Sequence, residues 1–168
     1  MNHFELYHIP VSLRPDPALV KTRFYELSRQ FHPDFHGQAS EEEQDAMLEK
    51  ASQVNMAYKI FRNPDATIKY VLQLKGLLEE EEKYQLPPDF LMEMLELNDQ
   101  ALEADTPEAK QQLAATIDNI KQALYEPVEK TVADYQEGIT SEKELLQVKE
   151  YYYRKKYLDR VLEGNLKI

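Results

Sequence analysis

The spacing of apolar residues along this chain predicts helices and little else. After Asp16-Pro17, apolar side chains follow three or four positions apart, at Val20, Phe24, Leu27 and Phe31. A second set follows Ser40, at Met47, Ala51, Val54, Tyr58 and Phe61. Residues spaced in this way share one face of an α-helix, whereas a strand would need apolar and polar residues to alternate. The pattern therefore predicts an all-α fold.

Residues that start and stop helices divide the chain further. A proline is favoured at the first position of a helix, and a Ser, Thr, Asp or Asn before the first turn accepts hydrogen bonds from its free N–H groups. Such starts occur at Asp16-Pro17, Ser40, Asn63-Pro64, Thr106-Pro107 and Ser141. We expect Gly76 to end the third helix and Gly164 to end the last one. We expect Pro127 to kink or split the helix that begins at Pro107.

Charge separates the chain into two parts. Residues 1–75 carry 9 basic and 10 acidic side chains, a net charge of −1, whereas residues 76–168 carry 11 and 21, a net charge of −10. A run of glutamates from Glu79 to Glu82 and the pair Pro87-Pro88 lie near the change. We therefore predict an N-terminal domain, an acidic and proline-containing linker, and a C-terminal three-helix domain, over residues 1–76, 77–88 and 89–168.

The composition of the 168 residues excludes several classes of function. The chain has no cysteine, so it contains no disulfide, no thiolate-bound zinc or iron–sulfur cluster and no thiol nucleophile. Its net charge of −11 disfavours nucleic-acid binding, which needs clustered lysine and arginine. No apolar run approaches the ~20 residues of a membrane span, and the N-terminus lacks the features of a signal peptide. We expect a cytoplasmic protein that binds neither nucleic acid nor membrane.

The segment between the first two long helices carries candidate chemistry. It reads Phe-His-Pro-Asp-Phe-His-Gly, from Phe31 to Gly37. Pro33 forces His32 into an extended conformation and ends the helix, so His32 and Asp34 should lie on a tight exposed turn. One interpretation is a metal-dependent enzyme with His32, Asp34 and His36 as ligands, since alternate residues of an extended chain point the same way. A plain structural turn is a second interpretation.

The order of these motifs resembles the J domain of DnaJ-type co-chaperones. The resemblance covers about residues 1–75, with a helix, the tripeptide His32-Pro33-Asp34, a second helix and the string Ala57-Tyr58-x-x-Phe61-x-x-Pro64. It implies an antiparallel helical hairpin with the His-Pro-Asp loop at its tip. In that family the tripeptide docks on a DnaK-type chaperone and triggers its ATP hydrolysis. The resemblance therefore implies that this chain regulates an enzyme and is not one itself.

The helix that precedes the loop adds a charged face. On a helical wheel, Lys21 and Arg29 lie opposite the apolar stripe of this helix. Such a face can steer association with an acidic partner surface. We assign Lys21 and Arg29 to chaperone docking together with His32, Pro33 and Asp34. The alternative is an ordinary solvated helix face.

A second candidate surface lies in the acidic half of the chain. One apolar stripe there contains Phe90, Met94, Leu97 and Ala101. Leu91, Leu95 and Leu102 form a second stripe, about 100° away on the helical wheel, with Met92 and Asp99 at its edge. A helix in a three-helix bundle needs only one such stripe. The second is either covered by a neighbouring helix or exposed for a partner.

The string Phe-Leu-Met-Glu-Met-Leu-Glu-Leu, from Phe90 to Leu97, extends the resemblance. Together with a J domain and an acidic three-helix domain, it resembles the HscB family, also called Jac. Members are J-type co-chaperones of iron–sulfur cluster assembly that bind an IscU-type scaffold protein and deliver it to an HscA-type chaperone, a specialised DnaK-type ATPase. Carried onto this chain, the resemblance implies a scaffold-binding patch made of Leu91, Met92, Leu95, Glu96, Asp99 and Tyr157.

The resemblance implies no resident cofactor or metal. Some members carry a cysteine-rich metal-binding segment, and this cysteine-free chain fits the bacterial form, in which any metal resides on the scaffold. Two alternatives remain open besides the metal-dependent enzyme. One is a J-domain co-chaperone with a different client, and the other is a helical interaction protein that stimulates no ATPase.

Overall fold

Every regular element that the structure describes is helical, which confirms the all-α prediction. A computed structural model describes residues 1–166. Its α-helices are α1 (His3–Tyr7), α2 (Pro17–Gln30), α3 (Glu41–Phe61), α4 (Pro64–Leu74), α5 (Pro88–Glu103), α6 (Pro107–Tyr125), α7 (Glu129–Asp134) and α8 (Glu142–Leu166). Short 3₁₀ turns follow α2 and α6, at Pro33–Phe35 and Glu126–Val128.

The chain forms two compact units. Unit 1 contains residues 1–74 together with residues 135–139, and unit 2 contains residues 75–134 and the chain from residue 140 onward. Helices α1 to α4 therefore belong to unit 1, and α5 to α8 belong to unit 2. The segment predicted as a linker, 77–88, falls within unit 2.

Helix α1 is an element that the hydrophobic pattern does not reveal, because five residues are too few to show a helical period. Asn2 starts it with a complete capping box. Phe4 and Tyr7 are buried, and their rings lie 5.0 and 5.1 Å from the ring of Phe61. The Tyr7 hydroxyl donates a hydrogen bond to the Val54 carbonyl at 2.7 Å. Burial raises the pKa of Tyr7, so this hydroxyl remains a donor.

Helices α2 and α3 pack into the predicted hairpin. The Asp16 carboxylate caps α2 by accepting the Ala18 N–H at 3.0 Å. Val20 and Leu27 of α2 are buried. The ring of Phe24 stacks on the ring of Tyr58 in α3, with centroids 3.9 Å apart. The apolar stripe read from the sequence is therefore the face that closes the hairpin.

The predicted starts and stops mostly hold. Asn63 and Thr106 accept hydrogen bonds from N–H groups of the first turns of α4 and α6, and Ser141 forms both bonds of its capping box. Pro127 splits its helix into α6, a 3₁₀ turn and α7, as expected. The expected stop at Gly164 is wrong, because α8 continues to Leu166. A glycine inside a helix costs only about 0.5–1 kcal/mol relative to alanine, so it does not end a helix by itself.

Unit 2 is built on the three long helices α5, α6 and α8, which confirms the predicted three-helix architecture. Its apolar cluster takes Phe90, Met94 and Leu97 from α5. Leu113 and Ile117 from α6 and Leu158 from α8 complete the cluster. One stripe of α5 is thus sufficient for the core.

The segment that precedes α5 packs against α8 instead of running free in solvent. The ring of Tyr84 stacks on the ring of Tyr153, with centroids 4.5 Å apart and planes nearly parallel. The Glu82 carboxylate lies 2.7 Å from the Lys149 ammonium. This hydrogen-bonded pair holds the pKa of Glu82 below its ordinary value. Part of the glutamate run therefore attaches this segment to α8, which the sequence pattern does not indicate.

The Glu82–Lys149 contact predicts a pH-dependent contribution to stability. Because the folded-state pKa of Glu82 is lowered, the pair stabilises the fold above the ordinary pKa of about 4.3, and this contribution is lost as pH falls through the lowered value. We expect Glu82→Gln to reduce the free energy of unfolding by about 0.5–1 kcal/mol at pH 7, and by much less at pH 3. Urea unfolding at both pH values measures the difference.

The exposed neighbour Glu79 provides a matched control for this experiment. Glu79→Gln makes the same chemical change in the same glutamate run, so it should leave the unfolding free energy within about 0.5 kcal/mol of the parent chain. An equal loss for Glu82→Gln at pH 7 and pH 3 would show that the ion pair is not the cause.

Candidate functional site

The His-Pro-Asp segment forms an exposed turn between α2 and α3, as predicted. His32 has an extended backbone, with φ −69° and ψ 132°, because Pro33 disfavours the helical conformation in the residue before it. The 3₁₀ turn Pro33–Phe35 then reverses the chain towards α3. The side chains of His32 and Asp34 are 52% and 86% exposed. Both are accessible to a partner.

The two polar side chains of the turn offer a donor and an acceptor side by side. The His32 Nδ1 atom accepts the Asp34 N–H at 3.2 Å and lies 3.6 Å from the Asp34 carboxylate. With Nδ1 as the acceptor, the proton of the neutral imidazole is on Nε2. The turn can therefore donate from the ring and accept at the carboxylate. This chemistry suits recognition of a polar partner surface.

A clamp that sequence reasoning did not identify holds the loop in place. The Gln44 side-chain nitrogen lies 3.4, 3.3 and 3.2 Å from the carbonyl oxygens of His36, Gly37 and Ala39. The His36 Nε2 atom in turn lies 2.7 Å from the carbonyl oxygen of Gln30, at the end of α2. The loop is thus tied to both helices of the hairpin. No sequence pattern indicates that Gln44, a residue of α3, contacts the loop.

The geometry of the loop does not favour the metal-site interpretation. His36 bonds to the backbone of α2, while the His32 ring faces the backbone of its own turn. Within residues 1–166, no group of three or more His, Cys, Asp or Glu side chains is arranged to hold a metal ion. His32, Asp34 and His36 alternate in the sequence, but their side chains do not converge on one site in the structure.

Basic residues of α2 accompany the loop. Lys21 and Arg29 are exposed, as the helical wheel indicates. Arg23 is instead paired with Glu26 within the helix, at 3.1 Å. The two basic residues assigned to docking are therefore accessible on the surface of the hairpin.

The second apolar stripe of α5 is exposed. Leu91, Met92 and Leu95 are 36%, 59% and 55% exposed, and Leu102, about two turns further along the same face, is 67% exposed. By contrast, the core stripe of Phe90, Met94 and Leu97 is at most 3% exposed. The sequence leaves open whether the second stripe is covered or free, and the structure shows that it is free.

The remaining residues of the predicted patch are placed in two ways. Glu96 and Asp99 are exposed on α5. Tyr157 of α8 is only half-buried and packs against the core of unit 2, with its ring centroid 6.3 Å from that of Phe90. The guanidinium of Arg154 lies 5.1 Å from the centre of the same Phe90 ring. Five of the six predicted residues thus share an exposed helix, and the sixth is linked to that helix through Phe90.

The chain is similar to known proteins in sequence and in fold. A family model described as the HSCB C-terminal oligomerisation domain matches residues 86–164. A co-chaperone protein HscB homolog from Vibrio vulnificus is 39% identical over 101 residues, which are 60% of this chain and 59% of that protein. A homolog from Photobacterium profundum is 38% identical over the same lengths. The matched stretch thus spans less than two thirds of these relatives.

Solved structures extend the similarity over nearly the whole chain. The crystal structure of the human co-chaperone protein HscB superposes with a TM-score of 0.81 at 25% identity, over 98% of this chain and 80% of that one. The chaperone HscB from Vibrio cholerae matches with a TM-score of 0.65 at 26% identity, over 98% of this chain and 99% of that one. None of the helices within residues 1–166 is long and apolar enough to cross a membrane. The family model, the relatives and the solved structures agree with one another, and each shows that this chain is similar to co-chaperones of the HscB family.

Proposed function

We propose that the chain is an adaptor between two proteins of iron–sulfur cluster assembly. Unit 2 binds an IscU-type scaffold protein, and unit 1 docks on an HscA-type, DnaK-like chaperone and stimulates its ATPase. Linking the two sites raises the concentration of scaffold near the substrate site of the chaperone. ATP hydrolysis takes place in the chaperone, so the adaptor itself is not an enzyme and holds no cofactor. A cytoplasmic location stays a prediction from the sequence.

The docking role of unit 1 is supported by the preorganised turn. His32 and Asp34 are exposed, while the backbone that carries them is tied down by Gln44 and His36. A loop ordered before binding loses less conformational entropy when it binds. Lys21 and Arg29 add positive charge along α2, which favours an acidic surface on the chaperone.

The observation that carries the proposal is the exposure of Leu91, Met92 and Leu95 on α5. Large apolar side chains cluster on one helix face although the bundle already has its core. Exposed apolar patches of this kind mark interaction sites, and methionine suits an adaptable one. Glu96 and Asp99 lie on the same helix as polar partners for the rim of an interface.

The test is the ATPase rate of the chaperone as this protein is titrated in, with and without the scaffold protein. Stimulation that is greater with both proteins than the sum of their separate effects supports the adaptor and its client. Stimulation that is equal with and without the scaffold would support a co-chaperone role but indicate a different client. If the chaperone rate does not respond to the protein, the adaptor proposal is wrong.

Replacing His32 by glutamine should separate the two functions. The substitution removes the imidazole from an exposed position, so it should abolish ATPase stimulation while helicity and scaffold affinity stay unchanged. His8→Asn provides a control at an exposed histidine outside the loop, in a left-handed conformation that asparagine tolerates. Full stimulation by His32→Gln would refute the docking role of the turn.

The triple substitution of Leu91, Met92 and Leu95 by alanine should weaken scaffold binding. We expect a loss of at least tenfold, because a few central residues carry most of the binding energy of an interface and the triple substitution removes three candidates together. Calorimetric titration with the scaffold measures affinity, and thermal unfolding measures stability. Since these side chains are exposed, stability should change little.

Leu48→Ala offers a control for this triple substitution, since Leu48 is a 52% exposed leucine of unit 1. Its scaffold affinity should equal that of the parent chain. Destabilisation of the triple variant by several kcal/mol would instead mark Leu91, Met92 and Leu95 as core, because a buried Leu→Ala change costs about 2–5 kcal/mol.

Gln44 should act as a positioning residue for the docking turn. Gln44→Glu keeps the shape of the side chain but replaces its donor by an acceptor, which then faces three carbonyl oxygens. We expect faster amide exchange at His36 and Ala39, and a roughly three- to tenfold loss of chaperone affinity. Gln44→Ala should have a smaller effect. Gln53→Glu on the same helix serves as control, and unchanged exchange in Gln44→Glu would contradict the clamp.

A further inference from the structure

An apolar groove of about 440 Å³ lies in unit 1, at the end of α2 remote from the His-Pro-Asp loop. Its floor is formed by the buried side chains of Leu13, Val20 and Phe61. The volume falls in the range of ~300–1,000 Å³ that is typical of ligand pockets. Neither the turn nor the α5 face contributes to it.

The groove has rigid walls. Pro15, Pro17 and Pro64 line it, at the entry to α2 and at the first position of α4. The proline ring fixes the backbone angle φ near −65°, so these segments have little freedom to close the groove. An occupant therefore meets a surface that needs little ordering.

The floor offers no free polar group to an occupant. Thr67 is the polar side chain at the floor, and it is 1% exposed. Its hydroxyl is already bonded to the carbonyl oxygens of Ile60 and Asn63, at 2.8 and 3.0 Å. The part of a ligand that enters the groove is therefore apolar.

The rim is positively charged. Arg14, Lys21 and Arg62 are exposed and line the groove. In the part of the chain that the structure describes, none of the three forms an ion pair, and the Arg62 guanidinium lies 5.2 Å from the ring of Tyr58. Three cations thus surround one apolar groove, in a part of the chain, residues 1–75, whose net charge is −1. The complementary ligand is apolar at its centre and carries carboxylates at its edges.

We propose that this groove binds a short segment of the DnaK-type chaperone that carries apolar side chains flanked by aspartate or glutamate. The inference rests on the proposed function and adds a second contact to the one made by the turn. Lys21 belongs both to the rim and to the exposed face of α2, so the groove continues the docking surface. The 14 residues of α2 span about 21 Å, a distance that one chaperone domain can bridge.

Reversing the charge of the rim tests the proposal. The double variant Arg14→Glu/Arg62→Glu should bind the ATP-loaded chaperone about tenfold more weakly at low salt, and its affinity should depend less on salt than that of the parent chain. Arg14→Gln/Arg62→Gln should lose about threefold. The double variant Lys50→Glu/Lys59→Glu makes the same change in net charge on α3 outside the groove, and we expect its affinity to stay within about twofold of the parent chain.

A structural readout locates the contact. Methyl resonances of Leu13 and Val20 should shift when the chaperone is added, and they should still shift with His32→Gln, which alters only the turn. Circular dichroism verifies that the charge variants remain folded. Because Arg14 and Arg62 are exposed, their replacement does not disturb the core.

The outcomes separate this inference from the proposed function. If the parent chain stimulates the chaperone and rim reversal changes neither affinity nor the methyl shifts, the inference is wrong and the proposed function stands. If the parent chain neither binds nor stimulates the chaperone, both fail. If sedimentation instead reveals a dimer that rim reversal dissociates, the occupant is a second copy of this chain, and the chaperone segment is refuted.

Discussion

The surface that unit 1 presents depends on the packing of α2 against α3. The stacked rings of Phe24 and Tyr58 and the buried side chains of Val20 and Leu27 hold the two helices together. Because the two helices pack side by side, the ten residues from Phe31 to Ser40 must reverse the chain within a short distance. That constraint, together with Pro33, creates the turn that displays His32 and Asp34. Loss of this packing would remove the proposed docking surface without any change in the sequence of the loop.

Hydrogen bonds convert the turn into a defined surface. A loop of this length would sample several conformations if it were attached only at its ends. Gln44 bonds its carbonyl oxygens and His36 bonds the end of α2, so the backbone is held while the side chains of His32 and Asp34 stay in solvent. Gln44 and His36 thus make the turn rigid, whereas His32 and Asp34 are the residues that it exposes.

The candidate binding surface of unit 2 is apolar, whereas that of unit 1 consists of polar groups. Helix α5 has one apolar stripe in the core and a second in solvent. The second stripe remains accessible because each helix of a three-helix bundle buries only the face that it turns towards the other two. Under the proposed function the scaffold protein covers these exposed leucine and methionine side chains, and binding then recovers their hydrophobic free energy. The segment fastened by Glu82 and Tyr84 leads into this helix from within the same unit.

Local signals were sufficient for most of the fold. Caps at Asp16, Asn63 and Thr106 and the break at Pro127 act through neighbouring backbone groups, so they can be read from the sequence. Other features join residues far apart in the chain. Tyr7 bonds to Val54, and Glu82 pairs with Lys149, and no local pattern indicates either contact. The prediction that α8 ends at Gly164 is wrong because glycine also adopts the helical conformation, and the helix continues through it.

The helical class, the main helix starts, the His-Pro-Asp turn and the two stripes of α5 can all be predicted from the sequence. Each follows from periodicity or from backbone restrictions that act within a few residues. In contrast, three features become visible only in the folded chain: Leu91, Met92 and Leu95 face solvent, Gln44 clamps the loop, and α1 packs into the core of unit 1. The physical reason is that burial and long-range hydrogen bonds depend on which surfaces meet, and a single helix does not specify its neighbours.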